Sequence, residues 1–162
     1  MMTEEIRLAT LRASKLAADL SEDDYNVLAG LVAVRELADG EVLVREGAED
    51  DHLYVVAAGH VGVVKYLESD NRVTVATLNV GDLAGEMGFV DGTRYQSSLV
   101  AIGSARVLGL ARDRLESLLA AHPSIVYHVM RAIIRTVHAT QRRLSHQAAE
   151  LSNYIYKQHG RY

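Results

Sequence analysis

The sequence predicts a mainly β fold with flanking helices, in which short strands form a barrel or jelly roll and a long C-terminal helix of coiled-coil type follows. Three observations carry this. Between residues 33 and 111, short runs rich in Val, Leu and Tyr alternate with turns containing Gly or Asp. After Pro123, apolar residues recur in alternating steps of three and four as far as Tyr154. The length, 162 residues, suits one substantial core with appendages rather than two cores.

Residues 1–32 read as helical. Ser21 and Asp24 have the spacing of a capping pair, and Tyr25, Leu28, Leu31 and Val32 then recur at helical intervals. In 33–111 the runs VAVREL, EVLVRE, HLYVVAA, HVGVVKYL, RVTVATL, SSLVAI and ARVLGL read as separate strands. So many short strands need an arrangement that limits exposed edges, which a barrel or jelly roll supplies. Residues 112–162 return to helix. Asp113 and Glu116 stand as cap and third position before Leu118 and Leu119, and Pro123 suits a first turn, where its missing N–H costs nothing.

The last helix carries the seam Met130, Ile133, Val137, Thr140, Leu144, Gln147, Leu151 and Tyr154. Its first half, Ile125 to Val137, reads as packed on the strands. Beyond Leu144 the barrel is too small to cover it, and the simplest cover is the same helix of a second copy. A homodimer through residues 130–154 is therefore expected, with the polar Thr140 and Gln147 fixing register at a cost in stability.

Composition narrows the function. An apolar fraction of 49% with 23% charged residues is that of a soluble globular chain, not a disordered one. The first twenty residues include Glu4 and Glu5 and no apolar signal core, and the longest apolar stretch, 27–34, is far short of a bilayer span. No membrane association is expected. The absence of cysteine excludes disulfides, a thiolate nucleophile and cysteine-bound zinc, and fits a cytoplasmic location. A net charge of −4 argues against general attraction to nucleic acid. Arg131, Arg135, Arg142 and Arg143 make the long helix locally basic, as solvated helix faces commonly are. Of seven histidines only His52 and His60 fall among the strands, without the close pairing that metal enzymes of this architecture use. No GxSxG elbow, P-loop or GxGxxG fingerprint is present. No catalytic residues, metal or cofactor are expected, and the chain reads as a non-enzyme.

Two longer strings point to a family. DGEVLVREGAEDDHLYVVAAGHVGVV, with Gly40, Gly47 and Gly59 at turns, resembles the opening strands of cyclic nucleotide-binding domains. NVGDLAGEMGFVDGTRYQSSLVA resembles the phosphate-binding cassette of that family, a short helix and loop between two strands. The resemblance implies a double-stranded β-helix (jelly-roll) barrel within a single domain over 1–162. Residues 1–32 would be its N-terminal helical segment, 33–111 its barrel with the cassette at 81–98, and 112–162 its C-terminal helices. The implied ligand is cyclic AMP, cyclic GMP or a cyclic dinucleotide.

The chemistry of the cassette can be argued from its residues. A cyclic phosphodiester carries one delocalised negative charge, and a loop turning into a helix presents unpaired backbone N–H groups to an anion. Gly85 permits close approach, and Gly85 and Met87 are expected to face the phosphate. The resemblance gives Glu86 the role of holding the ribose 2′-OH; the alternative is that Glu86 only caps the cassette helix. The family pattern has an arginine nine or ten residues after this glutamate. Here those positions are Tyr95 and Gln96, with Gln96 expected to face the phosphate and Ser97 to offer it a hydroxyl or backbone N–H. Losing a charge-assisted pair costs about 1.5–3 kcal/mol, so a different nucleotide, or none, stands beside cyclic AMP.

The resemblance also places Val75 and Leu78 against the base, although both suit plain barrel core. Thr140 matches the point where the long helix of related bacterial regulators meets the base, with Gln141 adding an amide contact; a seam threonine is the alternative. Those regulators place a helix-turn-helix after the long helix, and this sequence runs only to Tyr162, so sequence-specific DNA binding is not expected. The implied function is a stand-alone regulatory sensor that binds a nucleotide and signals through its C-terminal helix to an unknown protein partner. The competing reading is a degenerate, ligand-free dimerising module.

Overall fold

Helices α1 (Met2–Ala13) and α2 (Glu22–Ala29), joined by a 3₁₀ turn at Ala17–Asp19, precede the strands in the computed structural model, which describes residues 2–69 and 71–160. Met1, Arg161 and Tyr162, at the outer ends of the two predicted helical segments, lie outside the described residues. Helix α2 starts where Ser21 and Asp24 exchange bonds. The Asp24 N–H donates to Ser21 Oγ at 3.2 Å and the Ser21 N–H donates to Asp24 Oδ2 at 2.9 Å, satisfying two donors that the helix cannot use internally. Its inward face, Tyr25, Leu28 and Ala29, is buried.

Six antiparallel strands follow: β1 (Ala33–Leu37), β2 (Val42–Val44), β3 (His52–Tyr66), β4 (Arg72–Leu78), β5 (Leu83–Ala84) and β6 (Ser98–Ala111). Their path runs β1–β6–β3–β4, with β2 added to β6 and β5 to β3. It is a jelly roll with an open path, and the sheet does not close into a continuous barrel. Two predicted breaks are bends instead. HLYVVAA and HVGVVKYL form the single strand β3, and SSLVAI and ARVLGL the single strand β6, because Gly59 (φ 72°) and Gly103 (φ 68°) adopt a left-handed conformation without ending the ladder. The β3–β6 register shifts at Val56/Ala58 and Ala58/His60, so each long strand serves both halves of the roll.

The C-terminal region begins with α4 (Arg112–Glu116). Its cap is Ala111, not Asp113: β6 runs in extended conformation (φ −72°, ψ 143°) directly into the helix, and Asp113 falls inside the first turn. There its charge still favours the positive end of the helix dipole. Helix α5 (Pro123–His159) opens on the proline as its spacing predicts and runs for 37 residues. Ile125, Val129, Ala132 and Ile133 are buried, and Arg135 pairs with Asp19 at 2.8 Å. Beyond this the seam is bare: Val137 is 38% exposed, Leu144 57%, Leu151 61% and Tyr154 61%. Among the described residues, no helix is long and apolar enough to cross a membrane.

Two cores result. One, inside the roll, gathers Leu37, Leu43, Val44, Tyr54, Val56, Val61, Ala84, Leu99 and Val107. The other lies between the roll and the helices and joins Leu11, Leu16 and Leu28 to Leu53, Leu108 and Leu110, and these to Ile125, Val129 and Ile133. Each of these fully buried aliphatic side chains contributes about 1.5–3 kcal/mol relative to exposure.

Candidate functional site

The loop after β5 turns at Gly85 (φ 82°) into the short helix α3 (Glu86–Asp91), which ends at Gly92 (φ 76°). Residues 93–97 then lead back to β6. Phe89, on the inner side of α3, is 1% exposed and belongs to the core shared with α5. Sequence reasoning did not single out Phe89. A lone aromatic among glycines carries no periodic signal, although it is the only phenylalanine in the chain.

Glu86 is half-buried at the first position of α3. Burial raises its carboxyl above the ordinary glutamate range, opposed by its own backbone N–H and by the charge of Lys15. Lys15 itself pairs with Asp82 at 2.8 Å, and its N–H donates to the Gly81 carbonyl at 2.9 Å, so the end of α1 is tied to the entry of the cassette.

Tyr95 turns inward. Its ring packs against the core inside the roll, and a Cβ placed on Gly85 would lie 2.2 Å from its hydroxyl oxygen. A Cβ on Gly88 would lie 3.2 Å from the edge of the same ring and 2.5 Å from the Asp50 carbonyl. Only glycine fits at either position. The backbone of Tyr95 is fixed at both ends, its N–H donating to Ala48 O at 3.0 Å and its carbonyl accepting from Gly47 N–H at 2.7 Å. The hydroxyl is buried and meets no hydrogen-bond partner among the described residues. Burial pushes its ionisation upward, and the negative charges of Asp50 and Glu86 add to this.

Asp50 links this region to β3. Its Oδ2 accepts from the Tyr54 hydroxyl at 2.7 Å and its Oδ1 from the His52 N–H at 2.8 Å, while His52 Nδ1 lies 3.1 Å from Asp50 and 3.0 Å from Asp51. Burial, reinforced by the bond to Asp50, raises the Tyr54 phenol as well. Asp50, Asp51 and His52 are the one trio of metal-capable side chains that converges among the described residues, and they engage one another.

The other predicted site residues are spread more widely. Gln96 is exposed and Met87 is 49% exposed, while Ser97 is half-buried and the neighbouring Ser98 is buried, its Oγ accepting from Glu46 N–H at 2.8 Å. Leu78 packs partly against the inner core, whereas Val75 on the same strand is 56% exposed. Thr140 and Gln141 are exposed on α5, where the Thr140 hydroxyl donates to Thr136 O at 3.1 Å. Arg94 is exposed and is engaged by Gly47 O at 3.3 Å and Glu49 Oε1 at 3.0 Å. Gly85, Glu86 and Tyr95 are thus brought together, and neither Arg94 nor Lys15 supplies them with an uncommitted cation.

Comparison with known proteins fits this geometry. The family model for the cyclic nucleotide-binding domain matches residues 34–122, more than half of the chain, and the chain belongs to that family. Among similar curated proteins, a cAMP-dependent protein kinase regulatory subunit of Blastocladiella emersonii is 26% identical over 129 residues, 80% of this chain and 32% of the relative. A CRP-like cAMP-activated global transcriptional regulator of Mycobacterium tuberculosis is 26% identical over 106 residues, 65% of this chain and 47% of the relative. The chain therefore spans less than half of the length of either relative. A crystal structure of a cyclic nucleotide-binding domain from Methylobacillus flagellatus aligns with TM-score 0.76 and 27% identity over 88% of this chain and 80% of that one.

Proposed function

We propose that this chain is a regulatory sensor module that binds a cyclic nucleotide, or a related nucleotide, at the cassette and signals through α5. It works without catalysis, in the cytoplasm, as a homodimer through residues 130–154, and acts on a protein partner without sequence-specific DNA binding. The supporting observation is Phe89. Because this side chain of the cassette helix shares one close-packed core with Ile125, Val129 and Ile133, a movement of α3 alters the packing under α5. Signalling further requires that the ligand favour one arrangement of these helices over another. In this reading Gly85 and Met87 face the phosphate, Glu86 accepts from the ribose hydroxyl, Ser97 and, from the exposed rim, Gln96 add to the phosphate contacts, and Val75, Leu78, Thr140 and Gln141 approach the base.

The second reading, a ligand-free dimerising module, is favoured by the inward Tyr95 ring, which fills space beside Gly85. A thermal-shift screen of cyclic mono- and dinucleotides, followed by calorimetry, separates the two. Binding with stabilisation that rises with ligand concentration, lost in Glu86→Ala, supports the sensor. A flat response to every nucleotide at millimolar concentration, from a folded dimer, supports the ligand-free module.

A further inference from the structure

We infer that Tyr95 is the specificity-determining residue of the cassette: its phenol occupies the space an anionic group of the ligand must enter, and binding requires it to leave. The inference rests on the reading of the chain as a nucleotide sensor and concerns what governs access to that same site.

The close approach at Gly85 is the first support. With a Cβ excluded by the phenol oxygen at 2.2 Å and by the His52 carbonyl at 2.8 Å, no space remains between Gly85 and Tyr95 for a ligand atom. The ring also lies along Gly88, so it covers the first turn of α3 as well as the loop before it. The hydroxyl makes no hydrogen bond in return. A buried donor without an acceptor is unfavourable, so packing and the lack of a competitor hold the ring in place, with no specific bond to break.

The anchoring of the backbone determines how the ring leaves. Both main-chain groups of Tyr95 are bonded to the 47–48 turn, so the side chain can rotate about χ1 while the loop stays in place. Electrostatics determine what is kept out. The Glu86 and Asp50 carboxylates both act on the phenol, Lys15 is paired with Asp82, and Arg94 with Glu49. An entering phosphodiester therefore meets two negative charges beside the phenol, with Arg112 on the far side of α3, where it lines a cleft with Asp50, His52, Gly88 and Gly92, and the ring adds excluded volume to that repulsion. The neutral Tyr95 phenol fills the cleft mainly with its ring and adds no charge.

The test uses the full chain with cyclic AMP and cyclic GMP as probes in calorimetry, comparing wild type with Tyr95→Ala, Tyr95→Val and Tyr95→Phe. Thermal unfolding selects the variants that remain folded, and Val covers the case in which Ala does not. Removal of the ring is expected to tighten binding at least tenfold, while Tyr95→Phe stays within threefold of wild type because it keeps the ring. In ligand-free wild type, NOEs are expected from the Tyr95 ring to the α protons of Gly85 and Gly88, and these should vanish on saturation with nucleotide. Weaker binding in both Ala and Phe would make the hydroxyl a ligand contact and overturn the inference. So would wild-type binding that neither Ala nor Val improves, with the sensor reading left intact. If no folded variant binds either nucleotide, the sensor reading itself fails and the inference falls with it.

Discussion

An arginine at position 95 should do what an arginine at position 96 does not. The two positions are adjacent in sequence, but Tyr95 packs against Gly85 while Gln96 is exposed. Tyr95→Arg both removes the phenol and places a guanidinium within the cleft, beside Glu86. A charge-assisted hydrogen bond to a phosphodiester contributes about 1.5–3 kcal/mol, which corresponds to a gain of roughly ten- to hundredfold in affinity. Competition from the Glu86 and Asp50 carboxylates, which an arginine there would also attract, makes about tenfold the figure to expect for cyclic AMP. Gln96→Arg begins from an exposed site, where a pair with a ligand is screened and is worth at most about 1 kcal/mol, a fewfold change. Calorimetry of both variants against one nucleotide decides the matter, with circular dichroism showing that each is folded. If Gln96→Arg gains tenfold and Tyr95→Arg does not, the loop carries the other register and the inward placement of Tyr95 is not the one that governs binding.

Other expectations follow from burial, charge and exposure. Phe89→Ala should cost about 3–5 kcal/mol in urea denaturation, since a fully buried phenylalanine leaves a cavity; a loss below about 1 kcal/mol would mean that α3 is not seated in the helical core. Glu86 makes stability depend on pH. Because its folded carboxyl lies above the unfolded value of 4.5, its contribution is fully present below that pH and is lost as pH rises through the folded value. Glu86→Gln should therefore be more stable than wild type at neutral pH and show a flatter profile upward from about pH 4.5, and an unchanged slope in denaturation midpoints would refute this. Light scattering should report a dimer for the intact chain at tens of micromolar, roughly the range where weak pairs appear. A chain ending at Ala139, or one carrying Leu144→Glu with Leu151→Glu, should then be monomeric; an intact chain that is already a monomer would sink the dimer.

What could be read from the sequence divides by the range of the interactions involved. Ser21 with Asp24, and Pro123 at the head of α5, are local signals, and both act where their spacing indicates. RVTVATL coincides with β4 from Arg72 to Leu78 because alternation and turn residues frame it on both sides. Gly59 and Gly103 misled for the same local reason: a glycine marks a change of backbone direction, and only the pairing of β3 with β6 shows whether the strand stops or bends. Asp113 looked like a cap because no local signal shows that β6, read to 111, passes into α4 without an intervening turn. The direction of Tyr95 was least legible of all. Which of two adjacent residues faces the cassette depends on hydrogen bonds to Gly47 and Ala48, far away in the chain, and no pattern within 79–101 carries that information.

The unequal burial of α5 makes the helix a mechanical amplifier. Its root is clamped from Ile125 to Ile133, and roughly 26 residues beyond, at about 1.5 Å each, form a rigid arm of about 39 Å. A tilt of about 10° at the root would carry the far end sideways by about 7 Å, a displacement set by that length. Rearrangements under Phe89 too small to notice at the cassette would thus be read out near Tyr154 and His159. Spin labels on the two distal ends of a dimer would be placed where the protein moves most, and any partner that senses its state has most to gain by gripping it there.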